Sequence, residues 1–477
     1  MGEVSLTLAV PTRNRSRLAL SAVRSALGQP LPPACEIVVS DNSTEEASAA
    51  ELRRGLDALP PVLYLRPPTP LSMGEHWDWM LKEILRAGRT SHLVVLTDRF
   101  MLRERALVEL IERVEGAPDY TLSYNHARIE DYQEPVRIKE RPWSGRTIEV
   151  LSSRLLALAA TGQFPPALPR LLNCVVPRRT LLEVKERYGS VCNSLSPDFC
   201  FAFRCLTVEP AIQFYDAQPV VHYALHLSNG TSIVRGVPSS DSEGFLADLE
   251  INCASPEPRL MTACNTVFHE YCRVQGERGG RQLPDLDVAS YIRANVGEVL
   301  QMLPGPLRQR NEAVLRERGW WGGEPPALAA GIGAAGLTGA AQRLVRTLGV
   351  CLRKLQARLQ AVRWGPDLLW RFLAPRLGVS PPDVGRFEFR SGGEALAFAL
   401  QVRRRRTRDG RHLESLKGTG SGSLRALPAA GRVSAAARGS HFARWCLPRE
   451  PGSGAGTAPG APRPSARSPR GRNGGPS

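Results

Sequence analysis

The chain has 10 cysteines among its 477 residues but no Cys-x-x-Cys pair, which removes the usual signature of a zinc site or a redox dithiol. It has no uncharged apolar run of about 18 residues, so no segment is expected to span a membrane. The first residues, MGEVSLTLAVPTRNR, lack the charged-then-apolar pattern of a signal peptide. They also place Leu6 where a myristoylation signal needs Ser or Thr. The expectation is a cytoplasmic chain with reduced cysteines, whose sequons at Asn14, Asn42 and Asn229 are chance matches. Glycine is missing from the turn PTRNRSR (11–17) after the first apolar run. A dinucleotide fold needs Gly-x-Gly-x-x-Gly there, so that backbone can approach a pyrophosphate, and a dinucleotide site is therefore not expected. Acids are scarce in residues 401–477, which hold 16 Lys/Arg and 3 Asp/Glu, a net +13 of the chain's +16. The basicity belongs to a tail, and no specific nucleic-acid partner is expected of the body.

What is present is a core of ordinary size, 42% apolar and 23% charged. The first 125 residues alternate strand-like with helix-like segments. Strands are expected at 5–10, 35–41, 62–67, 92–98 and 120–125. Helices are expected at 16–29 (capped by Ser16), 44–59, 73–88 and 103–116. Such alternation predicts a mostly parallel sheet with helices on both faces. Ligands then sit outside the C-terminal ends of the strands. PTRNR (11–15), Asp41 and Asp98 all fall at such ends.

The stretch SLTLAVPTRNRSRLALSAVRSALGQ…CEIVVSDNSTEE resembles the N-terminal half of family 2 glycosyltransferases, inverting enzymes of GT-A fold. An apolar strand ending in Pro-Thr-x-Asn-Arg, an amphipathic helix and a strand ending in Asp-Asn-Ser follow in the family's order. SMGEHWDWMLKEILRAGRTSHLVVLTDRFML (72–102) is similar to the family's next unit, and residues 173–206 to its acceptor half. The resemblance covers about residues 4–235 and implies a Rossmann-like nucleotide-binding half.

It implies that Pro11, Thr12, Arg13, Asn14, Arg15, Asp41 and Asn42 cradle the nucleotide of a sugar donor, Asp41 accepting from the base. A carboxylate suits an imide or amino N–H, although Ser-Asp-Asn-Ser is also good turn chemistry. It implies that Asp98 holds Mg²⁺ or Mn²⁺ on the diphosphate. Yet the residues after Asp98 are Arg99 and Phe100, where the family carries further acids. Metal-independent transfer aided by Arg99 is the alternative. Asp198, at the helix start LSPDFCFAF, is the candidate base; it also suits the helix N-terminus electrostatically. His222 and His226, read on one strand face, are weaker candidates, His222 as an added metal ligand.

The expected organisation is a GT-A domain over 1–240, a helical extension over 241–375 and a mostly disordered low-complexity basic tail over 376–477. Within the extension, residues 341–363 set leucines at helical spacing against an all-basic face. That pattern suits an anionic membrane surface, here the inner face of the cell membrane, or a packed helix. The function implied is transfer of a sugar, with inversion, from a nucleotide-diphosphate donor to a hydroxyl of a glycan or lipid-linked acceptor, in polysaccharide or surface-glycan synthesis. The alternative is a noncatalytic sugar-nucleotide-binding relative.

Overall fold

The computed structural model describes residues 4–321 and 387–401, apart from residues 32, 33, 141, 142, 239, 253 and 281. The first half builds a parallel layer from β1 (Leu6–Thr12), β2 (Cys35–Asp41), β3 (Leu63–Leu65) and β4 (His92–Val95). The strand order is β3-β2-β1-β4, and all three ladders are parallel. Every residue of β1 is buried, as a strand covered on both faces requires. Successive side chains of a strand point to opposite faces. Leu8 and Val10 join the core under α1 (Ser16–Leu27) and α2 (Glu46–Asp57), while Ala9 joins the core under α3 (Met73–Ala87). α3 buries Trp77, Met80, Leu81 and Ile84, one stripe at helical spacing. Ser72 and Glu75 close a reciprocal capping box at its start, and Gly88, left-handed at φ 61°, closes its end. Ser16 is not a cap: it is the first helical residue, and its hydroxyl donates to Glu51.

Beyond β4 the sheet continues through β5 (Phe100–Leu102), α4 (Ala106–Glu115), β6 (Leu122–Glu130), β7 (Val136–Lys139), β8 (Thr147–Leu151), α5 (Ser152–Ala160), β9 (Cys174–Pro177), α6 (Arg178–Tyr188), α7 (Pro197–Val208) and β10 (Ala211–His222). Here most ladders turn antiparallel. β9 lies between β4 and β6 and opposes both, while β10 runs parallel to β6 and antiparallel to β5 and β8. The architecture is mixed α/β, a central sheet with the parallel layer β3-β2-β1-β4 and a largely antiparallel continuation, flanked by helices.

A helical region follows: α8 (Asn229–Arg235), α9 (Ser240–Asn252), α10 (Ala263–Gly276), α11 (Val288–Gln301) and α12 (Pro306–Glu317). Buried carboxylates tie it together. Glu298 of α11 accepts from the N–H groups of Ala263 and Cys264, which the first turn of α10 leaves unsatisfied.

Residues 387–401 depart from the expected low-complexity tail. They form β11 (Phe387–Phe389), antiparallel to β7, and α13 (Gly392–Gln401). Ala395, Leu396, Ala399 and Leu400 are buried in the main core at helical spacing. Apolar burial, not overall composition, decides this segment. The basic helix expected at 341–363 and residues 402–477 lie outside the described residues. Among the described residues no helix is long and apolar enough to cross a membrane.

Candidate active site

β1 lies between β2 and β4, and that order brings distant sequence together. Thr12, its last residue, is in register with Asp41, and its hydroxyl donates 3.0 Å to Asp98 Oδ2 in the turn after β4. Neighbouring strands lie about 4.8 Å apart, so Asp41 and Asp98 stand roughly 10 Å apart on one rim, the scale of a nucleoside diphosphate.

Asp98 is buried. Burial raises its pKa above the usual carboxylate range, opposed by the charges of Arg15 and Arg99 and by the Thr12 hydrogen bond. Arg15 Nη1 lies 3.9 Å from one carboxylate oxygen and Arg99 Nε 3.8 Å from the other. Burial lowers the Arg99 guanidinium to about 10, with Asp98 opposing, so it stays charged at neutral pH. Its Nη1 is 3.2 Å from His222 Nε2. A guanidinium can only donate, so this ring nitrogen accepts and the imidazole is neutral. Burial, then Arg99 and the nearby His126, Arg128 and Arg170, hold the His222 pKa well below its ordinary value. Arg99 Nε and the Thr97 hydroxyl are buried without a hydrogen-bond partner. Buried groups of this kind are satisfied by an ordered water or a ligand.

These residues do not make a good cage for Mg²⁺ or Mn²⁺. One carboxylate is flanked on both oxygens by guanidinia, and the His222 nitrogen is already taken up by Arg99. Among the described residues no group of three or more His, Cys, Asp and Glu converges as a metal site.

At the other end of the rim, a pocket of about 420 Å³ opens between Asp41, Asn42, Ser43, Glu46, Arg66 and Pro68. Asp41 is fully buried and already engaged: Oδ1 accepts from the Ser43 N–H at 2.9 Å and Oδ2 from the Tyr64 hydroxyl at 2.7 Å. Each oxygen keeps a second lone pair for a base N–H. Arg66 makes two hydrogen bonds to Glu46 at the pocket's edge. Beneath Asp41, His76 Nε2 lies 2.8 Å from the Ser40 hydroxyl.

The remaining nucleotide-site candidates divide by what they touch. Asn42 exchanges two hydrogen bonds with the backbone of Leu71, fixing the loop that leads into α3. Asn14, left-handed at φ 53°, accepts from the N–H groups of Thr44 and Glu45 and so joins the first loop to the second. These two asparagines shape the rim. Pro11 is buried in β1 opposite Ser40, and Arg13 is exposed. Arg15 donates from Nη2 to the carbonyl of Leu227 at 2.9 Å, tying the loop after β10 to the rim.

Asp198 stands in the first turn of α7, where Pro197 pre-sets the backbone. It is partly exposed, and the Ser196 hydroxyl donates to it at 3.3 Å. Surrounding protein raises its pKa, opposed first by Arg170. Arg170 stacks on Phe199 with its guanidinium carbon 5.3 Å from the ring centre. It is within electrostatic range of both Asp198 and His222. The loop before Asp198 rests on the start of α3. A Cβ on Gly74 would lie 2.1 Å from the Ser194 carbonyl oxygen, so only glycine fits.

His226 does not share a strand face with His222. β10 ends at His222, Ala224 turns left-handed at φ 52°, and His226 lies in a short 3₁₀ turn, with Nδ1 3.0 Å from Asp131. Tyr64, His76, Arg170, His126 and Arg128 were not legible as site residues, since each is isolated in sequence and converges only in the fold.

No family model matches the chain. No curated protein matches it in sequence. Among solved structures, it is similar to S. aureus TarS at 13% identity and a TM-score of 0.35, over 65% of this chain and 50% of that one. The chain thus spans about half the length of that protein. The structures titled TarS 1-349 and TarS 1-349 in complex with UDP-GlcNAc are also 13% identical, with TM-scores of 0.35 and 0.36, and are covered over 83% and 84% of their length.

Proposed function

We propose that this chain is an inverting glycosyltransferase that moves a sugar from a nucleotide-diphosphate donor to a hydroxyl acceptor. The observation that carries this reading is the Thr12–Asp98–Arg15–Arg99 cluster on the same strand-end rim as the Asp41 pocket. The nucleobase enters that pocket and the diphosphate reaches the cluster about 10 Å away.

In the reaction, Asp198 takes the proton of the acceptor hydroxyl as its oxygen bonds to the anomeric carbon. The bond from that carbon to the diphosphate oxygen breaks on the opposite face, so the configuration inverts. The bond's electron pair stays on the diphosphate. The guanidinia of Arg15 and Arg99, held beside Asp98, stabilise the growing charge. We assign them this role in place of a divalent ion, because cations already flank both oxygens of Asp98. The chain would work at the inner membrane face or in the cytoplasm on a glycan or lipid-linked acceptor.

The missing second acid beside Asp98 also favours a second reading, a noncatalytic protein that binds nucleotide sugars. Incubation with a panel of UDP-, GDP- and CMP-linked sugars, followed by proton NMR of the anomeric signal, separates the two. Release of nucleotide with an inverted anomer supports the enzyme. Saturable binding with no turnover on any donor or acceptor supports the second reading.

A further inference from the structure

Arg170 lies outside the pair of guanidinia, Arg15 and Arg99, that flank Asp98. Its guanidinium is half-buried, stacked on Phe199, and no hydrogen bond to the protein holds it among the described residues. The ring it stacks on, Phe199, directly follows Asp198, the base of the reaction proposed above, in the first turn of α7. Arginine on an aromatic ring is pre-organised, and its planar fork matches the two oxygens of a phosphate or carboxylate. In that reaction the donor's charge meets Arg15 and Arg99 at Asp98. From His222 contacts lead outward to the exposed Arg128: His126 packs edge-on to the ring with centroids 5.9 Å apart, and Arg128 Nε donates to His126 at 3.3 Å.

We propose that Arg170 seats an oxyanion carried by the acceptor, so that the acceptor is an acidic molecule whose reacting hydroxyl lies within a few ångströms of a phosphate or carboxylate. This rests on the transferase reading, because only an acceptor bound at Asp198 meets Arg170. The hydroxyl must touch the Asp198 carboxylate to lose its proton. Groups one or two bonds further along the acceptor then meet the guanidinium. A neutral acceptor would offer the fork no anionic partner, whereas a phosphate or carboxylate would accept two parallel hydrogen bonds from it.

The test uses the full chain saturated with UDP or GDP, whichever it binds, and compares glycerol, glycerol 1-phosphate and glycerate by ligand-observed NMR competition. We expect at least one anionic probe to bind tenfold or more tighter than glycerol. Phosphate over carboxylate, or the reverse, tells which acid the acceptor carries. Vesicles of phosphatidylglycerol against phosphatidylcholine tell whether a phosphate-bearing acceptor is a lipid. In Arg170→Ala the preference should fall to near unity while nucleotide affinity changes less than twofold. Arg170→Lys, which keeps the charge but not the fork, should retain part of it and serves if the alanine variant does not fold. Equal binding of all three probes, absence of anion binding, or an unchanged preference in Arg170→Ala would overturn the inference alone. So would loss of nucleotide binding in Arg170→Ala, which would assign the guanidinium to the donor. Failure of the wild-type chain to bind any nucleoside diphosphate would remove the transferase reading and this inference with it.

Discussion

Arg99 donates from Nη1 to His222 Nε2 across 3.2 Å, and this contact sets the chemistry of the Asp98 turn. It holds a buried guanidinium beside a buried carboxylate and occupies the ring nitrogen that a metal would need.

Charge stabilisation by Arg99 predicts that Arg99→Ala lowers turnover by roughly 100- to 1,000-fold, the usual scale for losing one oriented donor at a developing anion. Wild-type turnover should be the same in EDTA as in Mn²⁺. Initial rates of nucleotide release under both conditions check this, and abolition by EDTA would return the role to a metal.

Asp198→Asn should keep donor affinity and lose transfer by about 100- to 10,000-fold. The pH profile gives a sharper check. A base works only when ionised, and surrounding protein raises this carboxyl's pKa. The acid limb of kcat/KM should therefore lie above that of an ordinary aspartate. Arg170 opposes the rise, so Arg170→Ala should move the limb to still higher pH.

The close approach of Gly74 to Ser194 predicts that Gly74→Ala is destabilising by about 1–3 kcal/mol, because a backbone carbonyl must move. Since Ser194 leads into the Asp198 turn, turnover should fall more than donor affinity. Urea unfolding and steady-state kinetics on the same variant read both effects.

Leu396 is fully buried in the main core although it lies far along the chain. Leu396→Ala should cost about 2–5 kcal/mol by urea unfolding. A loss below about 0.5 kcal/mol would mean that α13 does not pack there.

His76 is buried and its pKa is lowered to about 4, mainly by burial. The unfolded chain binds this proton near pH 6.5 and the folded chain only near 4. The stability linked to neutral His76 is therefore complete above about 6.5 and is lost as the pH falls toward 4. The shift corresponds to about 3 kcal/mol at most. His76→Gln should flatten the pH dependence of urea unfolding over that window. Part of the slope should persist, because burial lowers His269 in the same way.

The parallel layer was legible because β1, β2 and β4 are apolar runs covered on both faces and α1 and α3 carry single apolar stripes. β10 was not legible beyond its last residues. Its 12 residues are nearly all buried yet include Gln213, Asp216 and Gln218, so neither alternation nor an apolar run marks it. β5 and β11, of 3 residues each, are too short to carry a period. Within the site, Asp41, Asp98 and Asp198 could be found because each ends a strand or opens a helix. Arg170 sits in PALPRLLN, a stretch without pattern, and only the packing of Phe199 against it shows its place. Nothing in the sequence shows that the side chains of Asn14 and Asn42 also tie loops together, Asn14 to Thr44 and Glu45 and Asn42 to the backbone of Leu71.

The central claim is that a single rim binds a nucleoside diphosphate, with Arg99 at its charged end and no metal. Isothermal titration of the full chain in EDTA with UDP, GDP and the matching nucleosides tests it most directly. A diphosphate should bind at least tenfold more tightly than its nucleoside, and Arg99→Ala should remove that advantage. Equal affinity for nucleoside and diphosphate, or no binding until Mn²⁺ is added, would contradict the claim.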